Sequence, residues 1–240
     1  MEWCLVTWHL YRTSGQRAGK LLRNNWAIPG TVFLYIGTVL GLYTLLAALP
    51  FGIIGGLILS AGHALIAGSF LYLLDMLVRT SRVTMADIQR SVGAYFGEVL
   101  GVVFLLWILR MFLTPLLLST PQGPLLLLAL NALIFILLNA VPEMIYLHQA
   151  SSTELLTGSI SFITTNWLEW LPVIAAQWAL LNMFPGVWGF LALDVEWFAT
   201  LTLWSVAWYY LMILRGLLYA ELSASGYRAR AFRYRAGGTR

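Results

Sequence analysis

Residues 52–77 read GIIGGLILSAGHALIAGSFLYLLDML, a continuous apolar run whose single charge, Asp75, sits near its end. About 20 such residues in a helix cross a hydrocarbon core roughly 30 Å thick. A helix also satisfies its own backbone polar groups in lipid, where an open strand leaves them exposed. The run does not alternate in polarity, so it reads as a membrane helix rather than a barrel strand. Five more stretches of the same kind flank it, at about 31–49, 95–118, 125–147, 168–184 and 197–218. The expected fold is all-α, a polytopic membrane protein with six transmembrane helices. Only Leu49-Pro50-Phe51 separates the first two, which makes them a tight hairpin.

The composition of the 240 residues agrees. The chain is 60% apolar and 10% charged, with a mean hydropathy of +0.80. Water-soluble domains hold about 45–50% apolar and about 25% charged residues. These figures exclude a soluble enzyme, a disordered chain and a β-rich secreted scaffold. Cys4 is the only cysteine, which excludes an intramolecular disulfide and a cysteine-based zinc or iron–sulfur site. Three regions follow: an N-terminal interfacial arm at 1–30, the six-helix domain at 31–218 and a basic tail at 219–240.

Basic residues set the expected orientation. Arg12, Arg17, Lys20 and Arg23 precede the first span, and Arg79, Arg82 and Arg90 lie between the second and third. Arg228, Arg230, Arg233, Arg235 and Arg240 follow the sixth. The loops at 119–124 and 185–196, and the one around Pro50, contain no Lys or Arg. Both ends of the sequence are therefore expected on the cytoplasmic side of the membrane. Residues 1–11 are too short for a span and lack the charged start and cleavage site of a signal peptide. With Trp3 and Trp8 they read as an interfacial anchor. In the tail, Arg228, Arg230, Arg233 and Arg235 are candidates for contact with lipid headgroups or a partner protein. No nucleic-acid partner is expected.

The chain repeats itself. Stretches 14–31, 84–101 and 153–171 each begin with a hydroxyl residue able to cap a helix, continue amphipathically, and reach an aromatic just before a span: Trp26, Phe96 and Trp167. Thr84 with Asp87 fits a capping box. Asp75, Glu143 and Arg215 hold matching positions near the ends of spans two, four and six. The expected architecture is three pseudo-repeated hairpins, each preceded by a cytoplasmic interfacial helix.

Helices in lipid associate through small residues. Gly52, Gly56, Ser60, Ala64 and Gly68 recur every fourth position of span two and would form a packing ridge. Gly37 with Gly41 and Gly97 with Gly101 would bring spans one and three against it. Use of the ridge for homo-oligomerisation is the alternative.

Charges within a bilayer are costly, about 2.5–3.5 kcal/mol at a helix centre, and so tend to pair or to face a polar cavity. Asp75, Arg79, Glu98, Arg110, Glu143, Glu169 and Arg215 are candidates for an intramembrane polar network, with Glu221 close by. Asp75 and Arg79 share a helix face. Arg215 has no acidic neighbour on its own helix, which points to Glu143 or Glu98. Asn131, Asn139 and Gln177 add amides. His63, the one deep histidine, reads as a packed neutral side chain because a bis-histidine haem needs a second histidine at similar depth. No cofactor or metal site is expected.

Walker A, HExxH, GxSxG and dinucleotide-binding motifs are absent. Tyr11-Arg12-Thr13, followed by Leu22-Arg23-Asn24-Asn25-Trp26 before span one, and the amphipathic segments before spans three and five, resemble bacterial six-span integral membrane proteins of the YciC-like family. The pattern is also similar to membrane regions attached to some glycerophosphodiester phosphodiesterases. The resemblance implies a six-span layout and carries no catalytic residue. The expected function is a non-enzymatic scaffold or membrane subunit of a larger inner-membrane assembly. Its partners would be the bilayer and other membrane subunits. The alternative is a transporter or ABC-type permease subunit with a cytoplasm-facing vestibule, partnered by a cytoplasmic ATPase.

Overall fold

The computed structural model describes residues 2–47, 52–148, 150–186, 194–226 and 229–232. It is helical throughout, with no strand among the described residues. The elements are α1 (Glu2–Asn24), a 3-10 turn (Ile28–Gly30), α2 (Thr31–Ala47), α3 (Gly52–Thr80), α4 (Met85–Ser91) and α5 (Phe96–Leu118). They continue as α6 (Gly123–Leu137), α7 (Val141–His148), α8 (Ser152–Asn182) and α9 (Val195–Ala224).

Among the described residues, five segments are long and apolar enough to cross a membrane: Ile28–Ala47, Gly55–Thr80, Phe96–Leu118, Gly123–His148 and Val195–Ala224. They match five of the six expected spans. The stretch expected at 168–184 is helical to Asn182, but Glu169, Gln177, Asn182 and its tryptophans dilute it below the apolarity of the others. Large apolar side chains face outward along these helices, among them Phe104, Phe112, Leu125, Leu128 and Leu203. That surface is suited to hydrocarbon and marks a membrane protein.

The chain divides into two compact units. One comprises Met1–Leu40, Leu74–Thr84 and Leu168–Arg240, and the other Gly41–Leu73 and Met85–Trp167. In the first, α1 is a single helix that begins well before Ser14, so this serine lies mid-helix rather than at a cap. Val6, Leu10, Ser14, Ala18 and Leu21 recur at helical spacing and are all buried. α1 packs along α9, where Gly15 and Gly19 leave room for the Tyr210 ring; a Cβ at Gly15 would lie 3.0 Å from its hydroxyl. Thr31 and Tyr209 share a buried hydrogen bond of 2.6 Å, which ties α2 to α9. Asp194 opens α9 by accepting from the Glu196 amide at 2.9 Å.

Asn25 ends α1 and holds the segment that follows α3. Its Nδ2 donates to the Leu21 carbonyl at 2.8 Å and to the Ser81 carbonyl at 3.1 Å, and its Oδ1 accepts from the Val83 amide at 3.0 Å. Asn25→Ala would strand a backbone amide and a carbonyl. It is expected to lower stability by about 1–2 kcal/mol, read as a lower thermal midpoint in detergent.

In the second unit, α4 returns onto α3 through a 2.6 Å bond between the Ser69 and Ser91 hydroxyls. The turn into α5 uses positive φ at Gly93 (86°) and Tyr95 (54°), and only the glycine adopts this without strain. The expected fourth span breaks between α6 and α7. Pro142 has no amide to offer and crowds the preceding turn, so the Val141 amide bonds the Leu138 carbonyl at 3.2 Å. The Leu137 carbonyl thus freed accepts from the buried Ser159 hydroxyl at 2.9 Å. α8 departs from helical geometry at Asn166 (φ −119°, ψ 25°), where its side chain bonds the Phe162 carbonyl at 3.1 Å. Its start is capped by Ser151 rather than Thr153. The amide and hydroxyl of Ser151 donate to Glu154 Oε2 at 2.9 and 2.7 Å, and these bonds hold the Glu154 carboxyl below its usual pKa.

The ridge on α3 is only partly used. Ala64 and Gly68 are buried, whereas Gly56 and Ser60 are exposed and a Cβ at Gly56 would meet nothing. Gly52 opens α3. At Gly68 a Cβ would collide with the Ala94 carbonyl oxygen and lie 3.2 Å from the Tyr95 carbonyl carbon. Among the described residues, nothing lies within 4 Å of a Cβ built at Gly37, Gly41 or Gly97. Gly101 is the exception, set against the Ser152 side chain of α8.

Candidate functional site

In the first unit the buried ionisable groups Asp75, Glu169, Arg215 and Arg230 are held by neighbouring side chains. Asp75 and Arg79, one turn apart on α3, form an ion pair; the carboxylate is buried and the guanidinium reaches outward. Arg215 of α9 is fully buried. Its Nη1 donates to Gln177 Oε1 of α8, and its guanidinium carbon lies 5.6 Å from the centre of the Trp170 ring, within cation–π range. Trp170, itself fully buried, stacks edge-on against Tyr219 with centroids 6.4 Å apart. This acceptor is one of the intramembrane amides marked in the sequence, and the aromatic face over the charge had no sequence signal.

Glu169 is buried at the start of the second segment of α8. Its Oε1 lies 3.6 Å from Arg230 Nη2, and Arg230 Nη1 donates to the Ser225 carbonyl. Arg230 was expected on the lipid- or partner-facing surface with its neighbours. It is instead 7% exposed, because the short helical segment at 229–232 turns it back toward Glu169. Arg228, Arg233 and Arg235 lie outside the described residues. Tyr11 of α1 donates to the Glu169 backbone carbonyl at 2.7 Å. Burial, reinforced by the nearby Glu169 charge, raises the pKa of its hydroxyl far above normal.

In the second unit, Arg110 is exposed and donates through Nη2 to Asn131 Oδ1 on α6 at 3.0 Å. Glu143 is fully buried at the start of α7, and Glu98 is half-buried in the first turn of α5. His63 bonds the Leu59 carbonyl of its own helix at 2.7 Å and meets Tyr43 edge-on at 6.2 Å. No group of three or more His, Cys, Asp or Glu that could hold a metal occurs among the described residues.

Between α1 and α9 lies a cavity of about 330 Å³, near the lower end of the roughly 300–1,000 Å³ typical of small-molecule sites. Its polar wall comes from His9, Thr13, Ser14 and Arg17 on α1, Glu221 on α9, and Arg230. The α1 residues fall within about two turns and face α9 because the buried stripe through Leu10 and Ser14 does. Glu221 accepts from the Ser225 hydroxyl at 3.3 Å through Oε1. Arg17 is exposed and forms no ion pair among the described residues. Sequence reading named the arginines and Glu221 separately; nothing in their spacing brings α1 beside the last helix.

The architecture is that of a helical integral membrane protein. Comparison with known proteins matches no family model, no curated protein and no solved structure.

Proposed function

We propose that the chain is a non-enzymatic scaffold or membrane subunit of a larger bacterial inner-membrane assembly. The observation that carries this reading is the local pairing of charges in the first unit: Asp75 with Arg79, Glu169 with Arg230, and Arg215 with Gln177 and Trp170. A route for a polar substrate calls for groups turned toward water, whereas these are turned toward one another. Such closed pairs fix how helices sit together.

In this reading the chain crosses the bilayer six times, the fifth crossing being the segment of α8 beyond Asn166. Three helical hairpins each follow an interfacial helix, in keeping with the YciC-like layout. The breaks at Asn25, Tyr95 and Asn166 support that repeat: each immediately precedes one of the aromatics Trp26, Phe96 and Trp167. Asn25 and Asn166 also bond the carbonyl four residues back in the same way. Both ends of the sequence face the cytoplasm, by the distribution of Lys and Arg.

The test is purification of the tagged full chain in mild detergent, followed by mass spectrometry. A stoichiometric membrane partner is expected, and recovery of a stoichiometric ATPase instead would replace this reading with the permease. In parallel, cysteines placed one at a time at Glu98 and Gln177, with Cys4 replaced by serine, are expected to resist a water-soluble thiol reagent applied from the cytoplasmic side. Rapid labelling at both would reveal a vestibule and overturn the scaffold.

A further inference from the structure

We infer that the α5–α6 hairpin docks, within the membrane, a helix of another protein that sets a mid-span aspartate or glutamate against Arg110. The inference deepens the proposed function by naming the chemistry of the membrane partner, and rests on that reading only for the existence of an assembly.

Arg110 and Asn131 stand at the same height in the hairpin. The first lies eight residues before the end of α5 at Leu118, and the second eight residues after the start of α6 at Gly123. At about 1.5 Å per residue, both are about 12 Å inside these apolar helices. A snorkelling side chain would run toward the 119–122 loop and its water. This guanidinium runs across to α6 instead, where Nη2 donates to Asn131 Oδ1 at 3.0 Å. The amide orients the fork but leaves its charge unbalanced, since Arg110 forms no ion pair among the described residues.

Both residues are exposed, and the surface around them is apolar: Trp107 and Met111 on α5 and Leu128 on α6 turn outward. A cation set in such a face is costly against lipid tails. A carboxylate on a facing helix removes that cost, because its two oxygens match the guanidinium fork. The apolar side chains of that helix meet the rim.

The carboxylate comes from another protein. Of the chain's ten acidic residues, Asp75, Glu143 and Glu169 are buried, and the others lie at a helix end or on the short α4. A second copy therefore has no exposed acid at this depth to set against Arg110. Lipid phosphates stay in the headgroup layer, past the end of α5.

The probe is a synthetic membrane helix of about 20 leucines with one Asp placed eight residues from an end. Asn or Leu replaces the Asp in two control peptides. The full chain, carrying Cys4→Ser and a fluorophore on Ser119→Cys, is reconstituted in phosphatidylcholine vesicles, and peptide binding is read by energy transfer. The Asp peptide is expected to bind about tenfold more tightly than either control, the size of one well-placed charged contact. Arg110→Leu, on an exposed side chain, should lower its binding to the control level. Arg110→Glu should reverse the preference, favouring a peptide with Arg at the same position. Equal binding of the Asp and Asn peptides, or a preference that survives Arg110→Leu, would overturn the inference. So would self-association of the chain that Arg110→Leu abolishes, which gives the face to a second copy. Loss of the Asp preference on adding phosphatidylglycerol would overturn it too, giving the arginine to lipid. The purification described above tests the scaffold with native partners, so either reading can fail without the other.

Discussion

Arg215→Ala is expected to be among the most damaging single substitutions in the chain, costing about 3–5 kcal/mol by combining a large cavity with stranded polar groups. The side chain has no solvent exposure, so neither water nor lipid can fill its place without rearrangement. Removing it leaves the Gln177 amide oxygen without this donor and uncovers the Trp170 ring. Arg215→Met tests the division between volume and charge: it restores most of the volume and should recover part of the loss, as buried charges exchanged for apolar groups often do. Arg215→Lys should fare worse than the retained charge suggests, since a flexible ammonium cannot both donate in the guanidinium plane and lie flat over an indole. The measurement is reversible unfolding in mixed micelles, with the yield of monodisperse protein as a second readout. Alanine at 215 matching wild-type stability would refute the account.

Gly68→Leu is expected to be comparably severe, about 3 kcal/mol or more, beyond the usual range for overpacking because the obstruction is backbone. Even alanine would place its Cβ against the Ala94 carbonyl oxygen and the peptides that follow. That turn is pinned by positive φ at Gly93 and Tyr95 and by the Ser69–Ser91 bond, so it has little freedom to retreat. Gly68→Ala should therefore cost about 1–3 kcal/mol. Gly56→Ala, three turns earlier on the same ridge, should be neutral or slightly stabilising through helix propensity, since nothing lies near it. The contrast between the two alanines, measured in one detergent, isolates the clash from any general effect on α3.

Much of the architecture could be read from hydropathy because lipid exposure requires long apolar runs, and such runs are visible one residue at a time. Five spans follow directly. The stretch expected at 168–184 does not reach the same apolarity, because it carries Glu169 and Gln177, which contact Arg230 and Arg215. The Asp75–Arg79 pair was legible because both partners lie on one helix. The contacts of Arg215 with Gln177 and Trp170 and of Glu169 with Arg230 were not, since helices far apart in sequence meet there and periodicity carries no information about which helix lies beside which. The small-residue ridge shows the same limit: spacing marks a face of α3, but only the α4–α5 turn makes Gly68 indispensable and leaves Gly56 free. The tail arginines illustrate it again, since a charge pattern read as surface also contains Arg230, which a short helical turn buries.

The packing of α1 along α9 has a consequence for biosynthesis. α1 finds its seat on α9, so residues 195–224 must be made before Val6, Leu10, Ala18 and Leu21 can be covered. The unit formed by Gly41–Leu73 and Met85–Trp167 is complete in sequence before α9 emerges. The unit in which α1 meets α9 closes afterwards, and until then the apolar stripe of α1 lacks its cover.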